Sequence, residues 1–474
     1  MRDEPQPAIY GPQYRPDPQI AALAGWLGDP VSAADFPATT LRFRNQAYAA
    51  TIGLDELSEA EWIAHFGRFQ PLPGNLPQPL ALRYHGHQFR VYNPEIGDGR
   101  GFLFAQLRDA KVNGRNRLLD LGTKGSGQTP WSRQGDGRLT LKGAVREILA
   151  TAMLEAQGVN TSRTFSVIET GEALYRGDEP SPTRSAVLVR LSHSHIRIGS
   201  FQRLAALGER EHMAELVDYC LENFPGSAEA AELAEPDNRP ALLLHQVVER
   251  MADLAASYMA AGFVHGVLNS DNMNVTGESF DYGPWRWLPT WDPAFTAAYF
   301  DHNGLYAFGR QPEAIHWNCG QLAIALRQLS EAGPLVAALE RFPELYRANL
   351  NRRFCLRLGV KPRGGEADTV LIAASEQHMR ATAMPLEAFF FAHRGGRDTP
   401  PGLREALGDH MPLTLDHPYW SDAAPQSMLI DEVEALWAAI DREDDWAPLE
   451  GKLAALARMA AAFGEPPVAA GHAA

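Results

Sequence analysis

The sequence predicts an α+β chain in which a strand-rich, mainly antiparallel stretch precedes a longer helical one. Three observations predict it. From Tyr84 to about Leu191, short alternating runs (FRVYNPE, GFLFAQL, RLLDLGTK, TFSVIET and SAVLVRL) are separated by Gly and Asp clusters, the texture of antiparallel strands. One helix interrupts them: from Thr140 onward Leu141, Val145, Ile148, Leu149 and Ala152 recur at helical spacing, with Glu147 on the margin of that apolar stripe. After about Phe201 the period turns helical, over Leu204 to Asn223, Ala241 to Ala261, Glu313 to Glu331 and Ile430 to Arg442.

The bulk numbers suit such a chain and narrow its chemistry. With 474 residues, 45% apolar, 21% charged and 9% aromatic, it has the length and balance of a folded globular protein. Forty-three Lys and Arg against 58 Asp and Glu leave a net charge of -15, which disfavours a surface that grips nucleic acid or anionic membrane. Any anion site must be local. Cys220, Cys319 and Cys355 are far apart and form neither a disulfide framework nor a CxxC pair. The N-terminal MRDEPQPAIYGPQYRPDPQ has no basic segment followed by an apolar run, and no apolar stretch reaches membrane-spanning length, so a cytoplasmic setting is expected.

Along the chain, residues 1–80 mix Pro and Gly with short helical patches and are expected to pack on the core as an extension. Residues 81–200 form the strand-rich lobe and residues 201–465 the helical one. The tail over 466–474 is low in complexity and expected to be flexible. Within the helical half, Phe263 to Arg286 (FVHGVLNSDNMNV, then SFDYGPW) alternates strand-like pieces with Gly and Asp turns, where chemistry is expected.

A strand-rich part with one embedded helix, followed by a helical part that opens with polar loops, resembles a protein kinase, and its parts can be sought in order. IGDGRG supplies Gly97, Gly99 and Gly101 with Asp98 and Arg100, a turn whose backbone amides can approach phosphate; a plain hairpin turn reads the same alone. Lys124 ends LLDLGTK where a phosphate-pairing lysine belongs, and Glu147 follows on the helix as its partner. Between them GSGQTPWSRQGDGR, with Arg133, Asp136, Gly137 and Arg138, could build a second anion-binding loop or a bare surface one.

The segment HGVLNSDNMNVTGESFDYG compares with H-R-D-L-x-x-x-N followed by D-F-G. His265 and Asn272 keep the pattern's spacing, and Asp281-Tyr282-Gly283 stands where the metal-binding Asp-Phe-Gly belongs. Val267 replaces the kinase base and cannot accept a proton. Asp271 offers a displaced carboxylate beside Asn272, while Asn272 and Asp281 supply the oxygen donors that hard Mg²⁺ prefers. RLSHSHIRIG adds Arg190 and Arg197, two guanidinium groups able to fork onto phosphate, around His193 and His195. Packing or hydrogen bonding outweighs metal ligation for that His pair, which lacks a third ligand nearby.

These residues resemble the selenoprotein O (SelO, or YdiU) family of kinase-like protein adenylyltransferases. YHGHQF, GDGR, LDLGTKGSGQTPWSRQGDGR, VREIL, TGEALYR, SHSHIRIGSF, HGVLNSDNMNV, FDYGP, WDPAF and FGRQP look like that family's blocks in its order, over roughly Tyr84 to Pro312. The resemblance implies a two-lobed kinase-like fold that holds ATP reversed, so that AMP passes to Ser, Thr or Tyr hydroxyls of client proteins and pyrophosphate leaves. It implies Asp271 as proton acceptor and Asn272 and Asp281 as ligands of Mg²⁺ or Mn²⁺. It further implies Gly97, Gly99, Arg100, Lys124, Asp136, Gly137, Arg190, Arg197 and Asp281 as nucleotide contacts, with Glu147 holding Lys124. UMP transfer with Mn²⁺, γ-phosphate transfer using Asp271, and a non-catalytic ATP-binding scaffold are the alternatives; Val267 argues against the second and the retained metal ligands against the third. The C-terminal GEPPVAAGHAA lacks the Cys or selenocysteine in which many members end, and Asp416 to Asp444 departs from the family pattern, which leaves redox control and the acceptor surface open.

Overall fold

The computed structural model describes residues 10–110, 116–177 and 179–464. The tail over 466–474 and residues 1–9 of the N-terminal extension lie outside them. The chain divides into two compact units: residues 1–87, 91–148 and 162–225 in the first, and 88–90, 149–161 and 226–474 in the second.

The first unit is built on an eight-stranded sheet. Its strands are β1 (Gly28–Pro30), β2 (Thr40–Arg44), β3 (Leu80–Leu82), β4 (Leu103–Arg108), β5 (Leu118–Lys124), β6 (Leu139–Thr140), β7 (Arg163–Leu174) and β8 (Thr183–Ser192). They run in the order β1-β3-β4-β5-β8-β7-β2, with β6 added to β8, and these neighbours pair antiparallel. The central strand β5 is buried along its whole length, which is why LLDLG reads as a nearly continuous apolar run. Both edge strands of the main path, β1 and β2, come from the first 80 residues.

That early segment also supplies much of the core. Helix α1 (Glu59–Phe66) opens with a capping box between Ser58 and Glu61 and turns Trp62 and Phe66 onto the sheet. Trp62 stacks on Phe165 at 4.9 Å between centroids and donates its indole N–H to Ser166 Oγ at 2.9 Å. Phe66 meets the same Phe165 edge-on at 5.3 Å, a burial that contributes about 1.5–3 kcal/mol. Helix α2 (Leu141–Ala156) then starts on this unit and continues into the other. The single helix expected over Leu204 to Asn223 is instead two, Ile198–Leu207 and Arg210–Asn223, because Gly208 adopts a left-handed conformation (φ 71) that ends the first.

The second unit is helical. Its central α3 (Arg239–Ala261) is capped by Asn238, whose side chain accepts from Ala241 N–H, and is buried along most of its length. Helices α4 (Gln311–Leu326) and α5 (Phe342–Leu358) pack on it. Arg353 of α5 grips Asp253 of α3 with both ends of its guanidinium, at 2.7 and 2.5 Å. Helix α4 stops at Leu326, short of the Glu331 expected from periodicity. No helix among the described residues is long and apolar enough to cross a membrane, and the three cysteines are buried and form no disulfide with one another.

Candidate active site

In the first unit, strand β5 delivers Lys124 and helix α2 delivers Glu147. The lysine Nζ lies 2.7 Å from Glu147 Oε2, with side-chain exposures of 7% and 1%, so the two meet as a dry ion pair. Glu147 had looked like the margin of an amphipathic stripe. Its near-total burial is possible because two cations face it: Arg190, on β8, places NH1 3.9 Å from the other carboxylate oxygen. Lys124, Glu147 and Arg190 therefore form one charged group, on three elements far apart in sequence.

The two glycine-rich loops of this unit pack on one another. Thr129 Oγ1 donates to Asp98 O at 2.6 Å, Ser132 Oγ donates to Gly99 O, and Gly125 N–H donates to Arg100 O at 2.7 Å. Arg100 itself is exposed. Gly137 sits at φ 69, and a Cβ there would come 2.2 Å from Gly127 backbone, so only glycine fits this close approach. Beside it Asp136 is held by Arg176, at 2.8 and 3.2 Å, and by Arg138 N–H at 3.0 Å. Burial pushes that carboxyl up, but these donors and the two guanidinium charges outweigh it and leave it below its usual range.

Arg197, at the start of the helix Ile198–Leu207, reaches the first loop. Its NH2 lies 3.1 Å from Asp98 Oδ1 and its guanidinium stacks 4.4 Å above the Tyr84 ring. Asp98 also accepts Leu82 N–H at 3.1 Å. Sequence reasoning counted Asp98 as part of a glycine turn and missed this role, as it missed Arg176 entirely. A carboxylate inside a supposed phosphate loop was the available signal, since it must be neutralised by a nearby cation. The neighbouring histidines diverge: His193 packs edge-on against Phe224 at 5.2 Å, while His195 hydrogen-bonds to Asp120 and Arg190.

In the second unit the polar loops fold around His265, which is fully buried. Its Nε2 meets Phe280 O at 2.8 Å, and a carbonyl only accepts, so Nε2 carries the proton and Nδ1 is left to accept Val267 N–H at 3.4 Å. This ring ties the HGVLN loop to the residue before Asp281. Gln311 of α4 accepts His265 N–H at 3.0 Å and donates to Phe263 O at 2.8 Å, and Asn318 of the same helix donates to Leu268 O at 2.8 Å. Two buried amides of one helix thus hold the loop's main chain.

Asp271 and Asn272 share the 3-10 turn Ser270–Asn272, the first buried and the second half-buried. Asn272 Nδ2 donates to Val267 O at 3.0 Å, which fixes the amide and leaves its oxygen as a donor atom for a cation. Asp281 is half-buried and left-handed at φ 56, a conformation uncommon for a residue with a Cβ and enriched at functional sites. Asn272 and Asp281 fit a hard divalent cation by their oxygen chemistry and partial exposure. Asn269, just before the turn, accepts from Tyr306 OH at 2.8 Å and Phe89 N–H at 3.0 Å. Burial first, then the negative charge of Asp271, pushes the Tyr306 phenol up, so it stays protonated beside that carboxylate. Among the described residues, the one group of three or more His, Cys, Asp or Glu with clustered ligand atoms is Cys355, Asp368 and His410, which includes none of these residues.

The chain matches the family described as "Protein adenylyltransferase SelO" over residues 13–397. The "Protein nucleotidyltransferase YdiU" of Synechococcus elongatus is 42% identical over 476 residues, covering 92% of this chain and 94% of that protein. The protein of the same description from Gloeobacter violaceus is 42% identical over 461 residues (91% and 92% covered), and that of Pseudomonas aeruginosa 37% over 347 (73% and 68%).

Proposed function

The chain belongs to the SelO family of protein adenylyltransferases and is a protein nucleotidyltransferase, and from that premise we propose that it transfers AMP from ATP to Ser, Thr or Tyr hydroxyls of client proteins, itself included. The observation that carries this reading is the turn after His265: Val267 stands where a phosphotransferase keeps its base, and the next carboxylate is Asp271, buried beside Asn272.

In this reading the acceptor hydroxyl gives its proton to Asp271 as its oxygen bonds to the α-phosphorus, and the bond from that phosphorus to the bridging oxygen breaks to release pyrophosphate. Lys124, Arg190 and Arg197 hold phosphate oxygens, with Gly97, Gly99, Arg100, Asp136 and Gly137 supplying the loops around the nucleotide. Glu147 keeps Lys124 and Arg190 in place and Asp98 keeps Arg197. Asn272 and Asp281 would hold Mg²⁺ or Mn²⁺, which when bound neutralises charge on the phosphates. Positioning and electrostatics supply most of the acceleration, and proton transfer to Asp271 adds roughly 10²- to 10⁴-fold. A kinase-like, two-lobed fold is part of the same proposal.

Intact-mass analysis of a generic acceptor protein after incubation with ATP and metal tests it. An adenylyl adduct with pyrophosphate released supports the reading, and a phosphoryl adduct with ADP released overturns it. Replacing ATP by UTP in the same assay decides between AMP and UMP.

A further inference from the structure

His195 lies outside every role assigned above, yet it is buried at 3% exposure in the middle of a polar chain. Its Nε2 accepts Arg190 Nε–H at 3.3 Å, so the proton resides on Nδ1, which donates to Asp120 Oδ2 at 3.2 Å. Asp120 also accepts the His195 main-chain N–H at 2.8 Å, and its other oxygen accepts from Gln106 Nε2 at 2.7 Å. Gln106 is itself placed by a second donation to Tyr219 OH at 3.0 Å and by accepting Ile20 N–H at 2.7 Å. The backbone is shaped around the ring: a Cβ on Gly122, in β5, would fall 2.0 Å from His195 Nε2. The resulting line runs Asp120, His195, Arg190, Glu147, Lys124, and it includes both Arg190 and Lys124, two of the cations proposed to meet phosphate.

We infer that His195 is a positioning residue: clamped by Asp120, it takes one donor of Arg190 and thereby fixes the orientation of the guanidinium. Arg190 has five N–H donors in a rigid fork. With Nε committed to the ring and one end facing Glu147, its rotation about the terminal side-chain bonds is stopped before any nucleotide arrives. Preorganisation of this kind lowers the ordering cost of binding. The inference rests on the reading of Arg190 as a nucleotide contact, so its test must separate the two.

The test is a double-mutant cycle on the full chain, with KM for ATP, kcat and melting temperature measured for Arg190→Ala, His195→Phe and the pair. Arg190→Ala is expected to raise KM for ATP. His195→Phe keeps the ring volume without an acceptor and is expected to raise KM about tenfold, the effect of one charge-assisted hydrogen bond, with kcat changed less than about threefold. In the double variant the second change should add nothing. His195→Gln, whose amide offers one acceptor and one donor, should restore most of the affinity. Should the Phe variant fail to fold, Gly122→Ala serves instead, because its methyl would fall on His195 Nε2 and displace the ring from Arg190 Nε, and the same rise in KM is expected. An unchanged KM in Arg190→Ala would remove the nucleotide role of Arg190. A raised KM there with an unchanged KM in His195→Phe, or full additivity in the pair, would overturn the positioning role alone.

Discussion

The two units hold their proposed functional residues by different physics. In the first, charge holds charge: the one buried carboxylate of Glu147 faces both Lys124 and Arg190, and Arg197 is paired with Asp98. In the second, neutral groups hold the main chain: His265, Gln311 and Asn318 bond to carbonyls and N–H groups of the loops that carry Asp271 and Asp281. The difference teaches that the cations are held by buried ion pairs, while the loop that carries the two carboxylates is held through its main chain by uncharged side chains. Changes in the first unit should therefore cost stability and affinity together, and changes to Asp271 or Asp281 in the second should cost turnover with little loss of stability.

The sharpest way to break that contrast is Asp281→Ala. Losing a proposed metal ligand should lower transfer more than about 10³-fold and abolish the rise in melting temperature on adding Mn²⁺, with the metal-free melting temperature unchanged. A large loss of stability would place Asp281 among the structural charges instead. Next, Asp271→Ala should lower kcat by about 10²- to 10⁴-fold with little change in ATP affinity, measured by direct nucleotide titration. Glu147→Ala should do the opposite: stranding Lys124 and Arg190 in the interior should remove about 3–5 kcal/mol of stability, read as a lower denaturant midpoint at constant slope. A loss below about 1 kcal/mol would mean that water reaches the pair.

How much of this was legible in the sequence follows the same divide. Helix α2 and strands β4, β5, β7 and β8 announced themselves because their apolar periods run unbroken. The proposed catalytic loop could be picked out as a candidate because its residues are neighbours, from His265 to Asp281. Strands β1 and β2 were not, since Gly28–Pro30 is three residues long with a proline and edge strands need no apolar alternation on both faces. Nor were the partners of the charged frame: Asp120 meets a ring 75 residues later, and Asp98 meets a guanidinium 99 residues later. Such pairs leave no periodic trace; only the sheet register brings β5 and β8 side by side, pairing Gly122 with Arg190.

The smallest expected effect concerns pH. Burial first, then the charge of Arg190, outweighs Asp120 and pushes the His195 imidazole below its ordinary value of 6.5. The unfolded chain then binds a proton that the folded one refuses in the window below about pH 6.5. Stability should fall with acidification there by up to about 1.4 kcal/mol per pH unit for this one group. His195→Phe should flatten that slope by the same amount, and an unchanged slope would mean that the ring is protonated in the fold.

The most direct test of the central claim uses ATP labelled on the α-phosphate in one reaction and on the γ-phosphate in another, with wild type and Asp271→Ala side by side. The account predicts label on protein from the α position only, lost in the Asp271→Ala variant. Label from the γ position would contradict it and make the chain a phosphotransferase with a relocated base.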